Sequence, residues 1–250
     1  MDLLLLPGLL CDRAAWSPVL PQLGTAARCS IAEYADERSL VAMADRVLRD
    51  VPPTFALAGH SMGGRVALEI VRRAPGRVER LALLDTGYRA QADGTAGADE
   101  RARRLALLAL AQAKGMRAMA REWVQPMVDP ARLADNALID TILDMFERRT
   151  PSQFAGQIEA LLARPDATAL LPTIACPTLV LCGRADGWST PAQHEEMAAL
   201  IPRSRLAIVD DCGHMAPMER PQAIADAMLA WLHASPLGAR AARVAVPSHS

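Results

Sequence analysis

The sequence predicts an α/β fold, a mostly parallel sheet with helices on both faces and a block of helices inserted late. Three observations predict it. Over the first 86 residues, short apolar runs of strand length alternate with amphipathic helical segments, the pattern of parallel strands joined by crossovers. The alternation stops at Gly87, and helix-like sequence without a strand follows for about 80 residues. Strands then resume at Pro177.

Taken in order, Leu3–Leu6 and the following Pro7-Gly8-Leu9-Leu10 read as a buried strand ending in a turn. A leucine run at this place can belong to a signal peptide. Here Asp2 stands where a basic segment belongs, and Pro7-Gly8 cuts the run short. Ser30-Ile31-Ala32 is a weak second strand. Leu40–Arg49 carries apolar residues at helical spacing, and Pro52-Pro53 separates it from the strand Phe55–Ala58. A helix follows over Arg65–Val71, then the strand Val78–Leu84. Beyond Gly87, Gln91–Asp99 reads as a polar loop, and Arg101–Val124, Ala131–Arg149 and Ser152–Ala163 read as helices punctuated by prolines. Pro177–Cys182 and Arg205–Val209 are strands, with helices over Pro191–Ala199 and Pro221–Trp231. The expected organisation is a core of residues 1–86 and 171–233, a helical cap of residues 87–170 over the sheet's carboxyl edge, and a loosely attached tail, 234–250.

Composition narrows the function. Of 250 residues, 27 are basic and 28 acidic, and the net charge of −1 gives no reason to expect nucleic acid or an anionic membrane as partner. No apolar stretch reaches the ~20 residues of a membrane span. The five cysteines are odd in number, scattered and without a C-x-x-C pair, as expected of reduced thiols in a cytoplasmic protein.

The chemistry concentrates at Phe55–Val71, FALAGHSMGGRVALEIV. A buried strand, a G-x-S-x-G turn and a helix are the parts of a nucleophile elbow. A serine held in strained backbone at the tip brings Gly59 and Gly63 too close for side chains, and places Ser61 at the positive end of a helix. A bare βα turn with a surface serine is the plainer alternative, and the flanking strand and helix argue against it. Serine needs a base, and the base needs a group to orient it. Asp186 and His214 lie, like Ser61, just past the carboxyl ends of strands, where parallel sheets place their sites. Asp85, at the end of Val78–Leu84, is a rival for the acid. His60 reads as structural, and His194, His233 and His249 are weak base candidates.

At this point the chain resembles the α/β-hydrolase fold family over roughly Leu3 to His233. GHSMGG resembles its elbow, GRADG its acid turn and DCGHMAPMERP its histidine loop, in the family's order Ser, Asp, His. The family usually begins with an antiparallel hairpin that has no counterpart before Leu3, so about six strands are expected. Pro7 stands where histidine is common in the family. The resemblance implies a small serine carboxylesterase, similar to pimeloyl carrier-protein methyl ester esterases. It implies a triad of Ser61, Asp186 and His214, and an oxyanion hole of the Leu9 and Met62 amides. No metal or cofactor is implied.

For substrate, the inserted helices contribute Met116, Met119, Met127, Met145, Trp123 and Phe146. Trp123, Met119 and Phe146 are the candidate substrate-binding residues of an aliphatic pocket for a small acyl substrate, although methionine at helical spacing is commonly plain core. Lys114, Arg117 and Arg121 fall on one helix face and suit an acyl carrier protein, or simply solvent. A C–C bond hydrolase of aromatic-ring breakdown is the alternative, and it requires pocket-facing arginines for a carboxylate. A slow-turnover binding protein of the same fold is the third reading.

Overall fold

The computed structural model describes residues 1–234 and 243–245. In chain order the first half holds β1 (Asp2–Leu6), α1 (Leu20–Leu23), β2 (Arg28–Ile31), α2 (Leu40–Arg49), β3 (Phe55–His60), α3 (Met62–Arg73) and β4 (Val78–Leu84). Four helices follow without a strand: α4 (Gly94–Lys114), α5 (Met116–Val124), α6 (Asn136–Glu147) and α7 (Pro151–Leu162). The chain then returns through β5 (Thr178–Gly183), α8 (Pro191–Leu200), β6 (Ser204–Val209), α9 (Ala216–Glu219), α10 (Pro221–His233) and β7 (Arg243–Ala245).

The strands form one sheet in the order β2-β1-β3-β4-β5-β6-β7, and every pairing is parallel. The six strands β1–β6 are those expected, and the short β7 is an addition, paired with β6 through Leu206–Ile208. The rest of the expected loose tail, beyond Ala234, lies outside the described residues. β3 and β5 are buried along their whole length, which is why their sequences are bare apolar runs rather than alternating patterns. The chain runs from β1 outward to β2 and then back across to β3. The crevice at the carboxyl ends of β1 and β3 is therefore a topological switch point, where α/β sheets bind ligands.

The inserted helices differ from expectation in three places, the simplest being that α6 begins at Asn136 rather than Ala131. Arg101–Val124 is not one helix: Gly115 takes φ 88, ending α4 and starting α5. Glycine adopts that left-handed φ without the steric cost other residues meet. The polar stretch after Gln91 is also more ordered than a loop, since α4 begins at Gly94. Gln91 braces this turn by donating to the Gly97 carbonyl at 2.8 Å.

α5 packs on α4 and α6, and α4 packs on α7. The block is tied to the turn after β1 by Arg148 with Asp12 (2.8 Å), Arg149 with the Cys11 carbonyl (2.8 Å) and Gln157 with the Leu10 amide (2.8 Å). Among the described residues, no helix is long and apolar enough to cross a membrane.

Candidate active site

The floor of the site is the β3–α3 turn. Ser61 is the residue that caps α3 and has φ 54, ψ −118, a conformation that costs a non-glycine residue of the order of 1–3 kcal/mol. Its neighbours hold it there. The Ser61 amide donates to the Leu84 carbonyl at 2.9 Å, and Thr86 Oγ1 donates to the Ser61 carbonyl at 2.7 Å. A Cβ on Gly59 would lie 2.4 Å from the Gly63 carbonyl oxygen, and one on Gly63 would lie 2.2 Å from that of Leu6. Glycine at both places is thus a requirement of packing. The expectation for Gly63 needs amending, because its clash is with the end of β1.

His214 reaches Ser61 from the loop after β6, with Nε2 2.8 Å from Ser61 Oγ. Its other nitrogen, Nδ1, lies 2.8 Å from Asp186 Oδ2. Asp186 Oδ1 accepts the amides of Trp188 and Ser189, both at 2.9 Å. Burial pushes the Asp186 carboxyl up. The charge and hydrogen bond of His214 and those two amides outweigh it and hold the group below its ordinary value. Three residues 153 positions apart at the extremes thus form one hydrogen-bonded line.

The rival acid is elsewhere. Asp85 is wholly buried, and its Oδ1 accepts the Gly183 amide at 2.9 Å while Oδ2 has no hydrogen-bond partner among the described residues. Burial, then the nearby Asp186, pushes its carboxyl well up. It braces the start of the acid turn. Above the relay, His60 Nε2 donates to the His214 carbonyl at 2.8 Å. Burial, then the adjacent His214, draws His60 down to about 4, so it serves as a neutral donor. His194 Nε2 accepts the Thr86 amide at 3.2 Å and steadies the turn after β4.

Two backbone amides near the serine have no hydrogen-bond partner among the described residues, those of Leu9 after β1 and Met62 at the first position of α3. Both residues line the same cavity as Ser61 and His214. The next amide, that of Leu10, which has φ 61, donates to Gln157 Oε1 at 2.8 Å.

The family model for the alpha/beta hydrolase family matches residues 3–227. The chain belongs to the alpha/beta hydrolase family. A pimeloyl-[acyl-carrier protein] methyl ester esterase of Aromatoleum aromaticum is 29% identical, over 88% of this chain and 94% of that protein. A thermophilic esterase from Thermogutta terrifontis superposes with a TM-score of 0.81 at 28% identity, covering 93% of this chain and 89% of that one. The enol-lactonase of Burkholderia xenovorans LB400 has the same fold, with a TM-score of 0.80 at 23% identity over 92% and 91% of the two chains.

In this hydrolase the cavity above Ser61 has a volume of about 1070 Å3. Trp123 and Phe146 line it, with Met127. Met119, Met116 and Met145 are buried and do not, so these methionines are core of the helical block. Trp188 and Phe154 were not anticipated. Trp188 stacks on Trp123 with centroids 5.7 Å apart and lies 4.9 Å from the His214 ring. Phe154 lies 5.6 Å from Trp123. Each is a single aromatic in its stretch, with no local pattern to mark it. The proposed basic face also dissolves. Lys114 and Arg117 belong to different helices, and Arg117 is held by Asp140, Asp144 and Glu147.

Proposed function

We propose that this alpha/beta hydrolase cleaves a carboxylic ester of a small, mainly apolar acyl group through an acyl-enzyme. The observation that carries the reading is the unbroken line Ser61 Oγ–His214 Nε2 and His214 Nδ1–Asp186 Oδ2, both 2.8 Å, at the floor of a large cavity. In the reaction, His214 takes the Ser61 proton as the serine oxygen attacks the carbonyl carbon, then gives it to the leaving alcohol. Asp186 keeps Nδ1 protonated and stabilises the imidazolium. The Leu9 and Met62 amides receive the oxyanion, aided by the dipole of α3, at a value of about 3–4 kcal/mol per donor. Water, activated by His214, then frees the acid.

Trp123, Phe146, Phe154 and Trp188 give the acyl group an apolar wall. Residues 87–170 act as the cap in this reading. The name of the Aromatoleum aromaticum relative supports a methyl ester and leaves a carrier-bound acyl chain as a substrate form. The ion pairing of Arg117 argues for a free small ester first. Five free cysteines agree with a cytoplasmic location.

A second reading, hydrolysis of a C–C bond beside a carboxylate, draws support from Arg65, Arg104 and Arg164 on the cavity wall. A screen of kcat/KM over p-nitrophenyl esters, methyl esters, lactones and dienoate ketones ranks these classes. Ser61→Ala is expected to stay folded, lose fluorophosphonate labelling and lose about 10⁶ in kcat. Retention of more than about one per cent of kcat, against that scale, would remove Ser61 from the chemistry. Stoichiometric labelling without multiple turnovers on any substrate would instead indicate a binding protein.

A further inference from the structure

Away from Ser61, one wall of the cavity is cationic out of proportion to a chain of net charge −1. Arg65 on α3, Arg104 on α4 and Arg164 just beyond α7 line it together with Glu100 on α4. Glu100 is shared between two of them, with Arg164 at 2.7 Å and Arg104 at 2.9 Å. Arg65 has no carboxylate partner among the described residues. Among the described residues its side chain makes one hydrogen bond, from Nη1 to the Arg89 carbonyl, 2.9 Å. Asp166 stands nearby as a charged neighbour, with its oxygens bonded to the amides of Ala90 (3.1 Å) and Thr168 (2.7 Å) rather than to a guanidinium of the wall. Three guanidiniums therefore meet two acids, Glu100 and Asp166, and of these only Glu100 is ion-paired to any of the three, in a partly dry wall.

Such an excess is costly unless something answers it. Buried cations are ordinarily matched by carboxylates or by a ligand. Burial, then the charges of Arg164 and Arg104, pulls Arg65 down to about 9, the mark of a cation held beside like charges. The surrounding chain also leaves space for the group. A Cβ on Gly87 would lie 2.6 Å from Arg65 Nη2, so any side chain there would displace the guanidinium. Arg65 follows Ser61 by four residues, one turn of α3, a rise of roughly 6 Å along the helix. A planar guanidinium fork suits carboxylate and phosphate oxygens alike.

We infer that Arg65, Arg104 and Arg164 form an anion subsite, so that the ester cleaved at Ser61 carries a carboxylate or phosphate at the far end of its acyl chain. This deepens the ester-hydrolase reading and rests on it. The apolar wall of Trp123 and Phe146 takes the methylene chain, and the arginines take its charged end. The catalytic steps are unchanged. What the subsite adds is orientation, since a fixed far end holds the carbonyl against the serine.

The test compares monomethyl esters of straight-chain dicarboxylic acids, succinate to suberate, with the matching dimethyl esters. At low salt the half-esters are expected to exceed the dimethyl esters at least tenfold in kcat/KM at the best chain length, mainly through KM, and to lose that advantage as salt is added. Arg65→Gln and Arg104→Gln are each expected to lower the half-ester to dimethyl-ester ratio about tenfold. Glu100→Gln is expected to raise it, because the competing carboxylate is gone. A purely structural role for the arginines would depress both substrates together and leave the ratio unmoved, as would Glu100→Gln, and that result overturns the subsite. Methyl 6-phosphonooxyhexanoate run beside monomethyl adipate names the anion by the larger kcat/KM. Should no ester turn over, the hydrolase reading fails, and calorimetry with adipate still decides the subsite: tenfold weaker binding to Arg104→Gln supports it, and equal or absent binding overturns it.

Discussion

Asp85 and Asp186 are both buried beneath the same loops, yet their surroundings push them in opposite directions. Asp186 gains the His214 ring and two amides and stays below the ordinary carboxylate value. Asp85 gains one amide, from Gly183, and is pushed up by burial. Only an ionised carboxylate on Nδ1 holds the imidazole in the tautomer that accepts from serine, and an amide there costs about 10⁴ in kcat. Asp186→Asn is therefore expected to lose activity on that scale at pH 7. Asp85→Asn should keep most of its activity and shift the melting temperature, because its change falls on a brace of the acid turn. Both variants measured on one p-nitrophenyl ester decide between them. An active Asp186→Asn beside a crippled Asp85→Asn would reverse the two roles.

Among the elements, the short helix α9 has the most leverage on the site. From it, Glu219 Oε2 accepts the amides of Asp129 (2.8 Å) and Gly213 (2.9 Å), and Oε1 accepts that of Met215 (2.9 Å). The His214 amide donates to the Met127 carbonyl at 2.6 Å. One carboxylate thus fastens both flanks of His214 to the segment between α5 and α6. Burial pushes that carboxyl up, against three amides that favour its charge. A glutamine there accepts through one oxygen only and turns its NH2 toward amide donors. At least one amide is left unpaired, at about 1–3 kcal/mol. Glu219→Gln is expected to lower the melting temperature and reduce kcat by roughly tenfold to a hundredfold, with KM less affected, on the ~1.4 kcal/mol per decade scale. A melting shift with wild-type kcat would confine Glu219 to stability and detach it from His214.

At the scale of the whole molecule, the carboxyl-edge loops set a pH limit on stability. His60 is buried between Trp16, His214 and Asp85, whose Oδ2 lies 3.9 Å from Nε2. Its folded value of about 4 lies below the ordinary histidine value of 6.5. Between those values the unfolded chain binds a proton that the native protein refuses, so stability rises with pH across the window and is lost as pH falls through it. At 1.36 kcal/mol per unit this amounts to something on the order of 3 kcal/mol. Asp186, lowered in the fold, acts in the same sense, and Asp85, raised, acts against it. Urea unfolding at pH 7 and pH 4.5 is expected to show a smaller loss in His60→Gln than in the wild type, since glutamine can donate to the His214 carbonyl without titrating. Equal losses in the two proteins would exclude His60 as the source.

The sequence by itself determined the parallel α/β class, the six core strands and the positions of Ser61, Asp186 and His214 at strand ends. It could do so because burial on both faces leaves bare apolar runs such as Phe55–Ala58, and because the turn around Ser61 has no room for a Cβ at Gly59. These are local consequences, written within a few residues of the chain. Tertiary structure alone decided that Asp85 pairs with the Gly183 amide, that Gln157 takes the Leu10 amide, and that Trp188 joins Trp123 over His214. It also dismantled the basic face, by bending the chain at Gly115 and giving Arg117 to the acids of α6. The convergence of Arg65, Arg104 and Arg164 on one wall spans some hundred residues of sequence, with no pattern in any one of their stretches. Spacing reveals what a helix turn or a strand places together. Which side chains from separate elements share a cavity depends on how those elements pack, and that is set by the whole core at once.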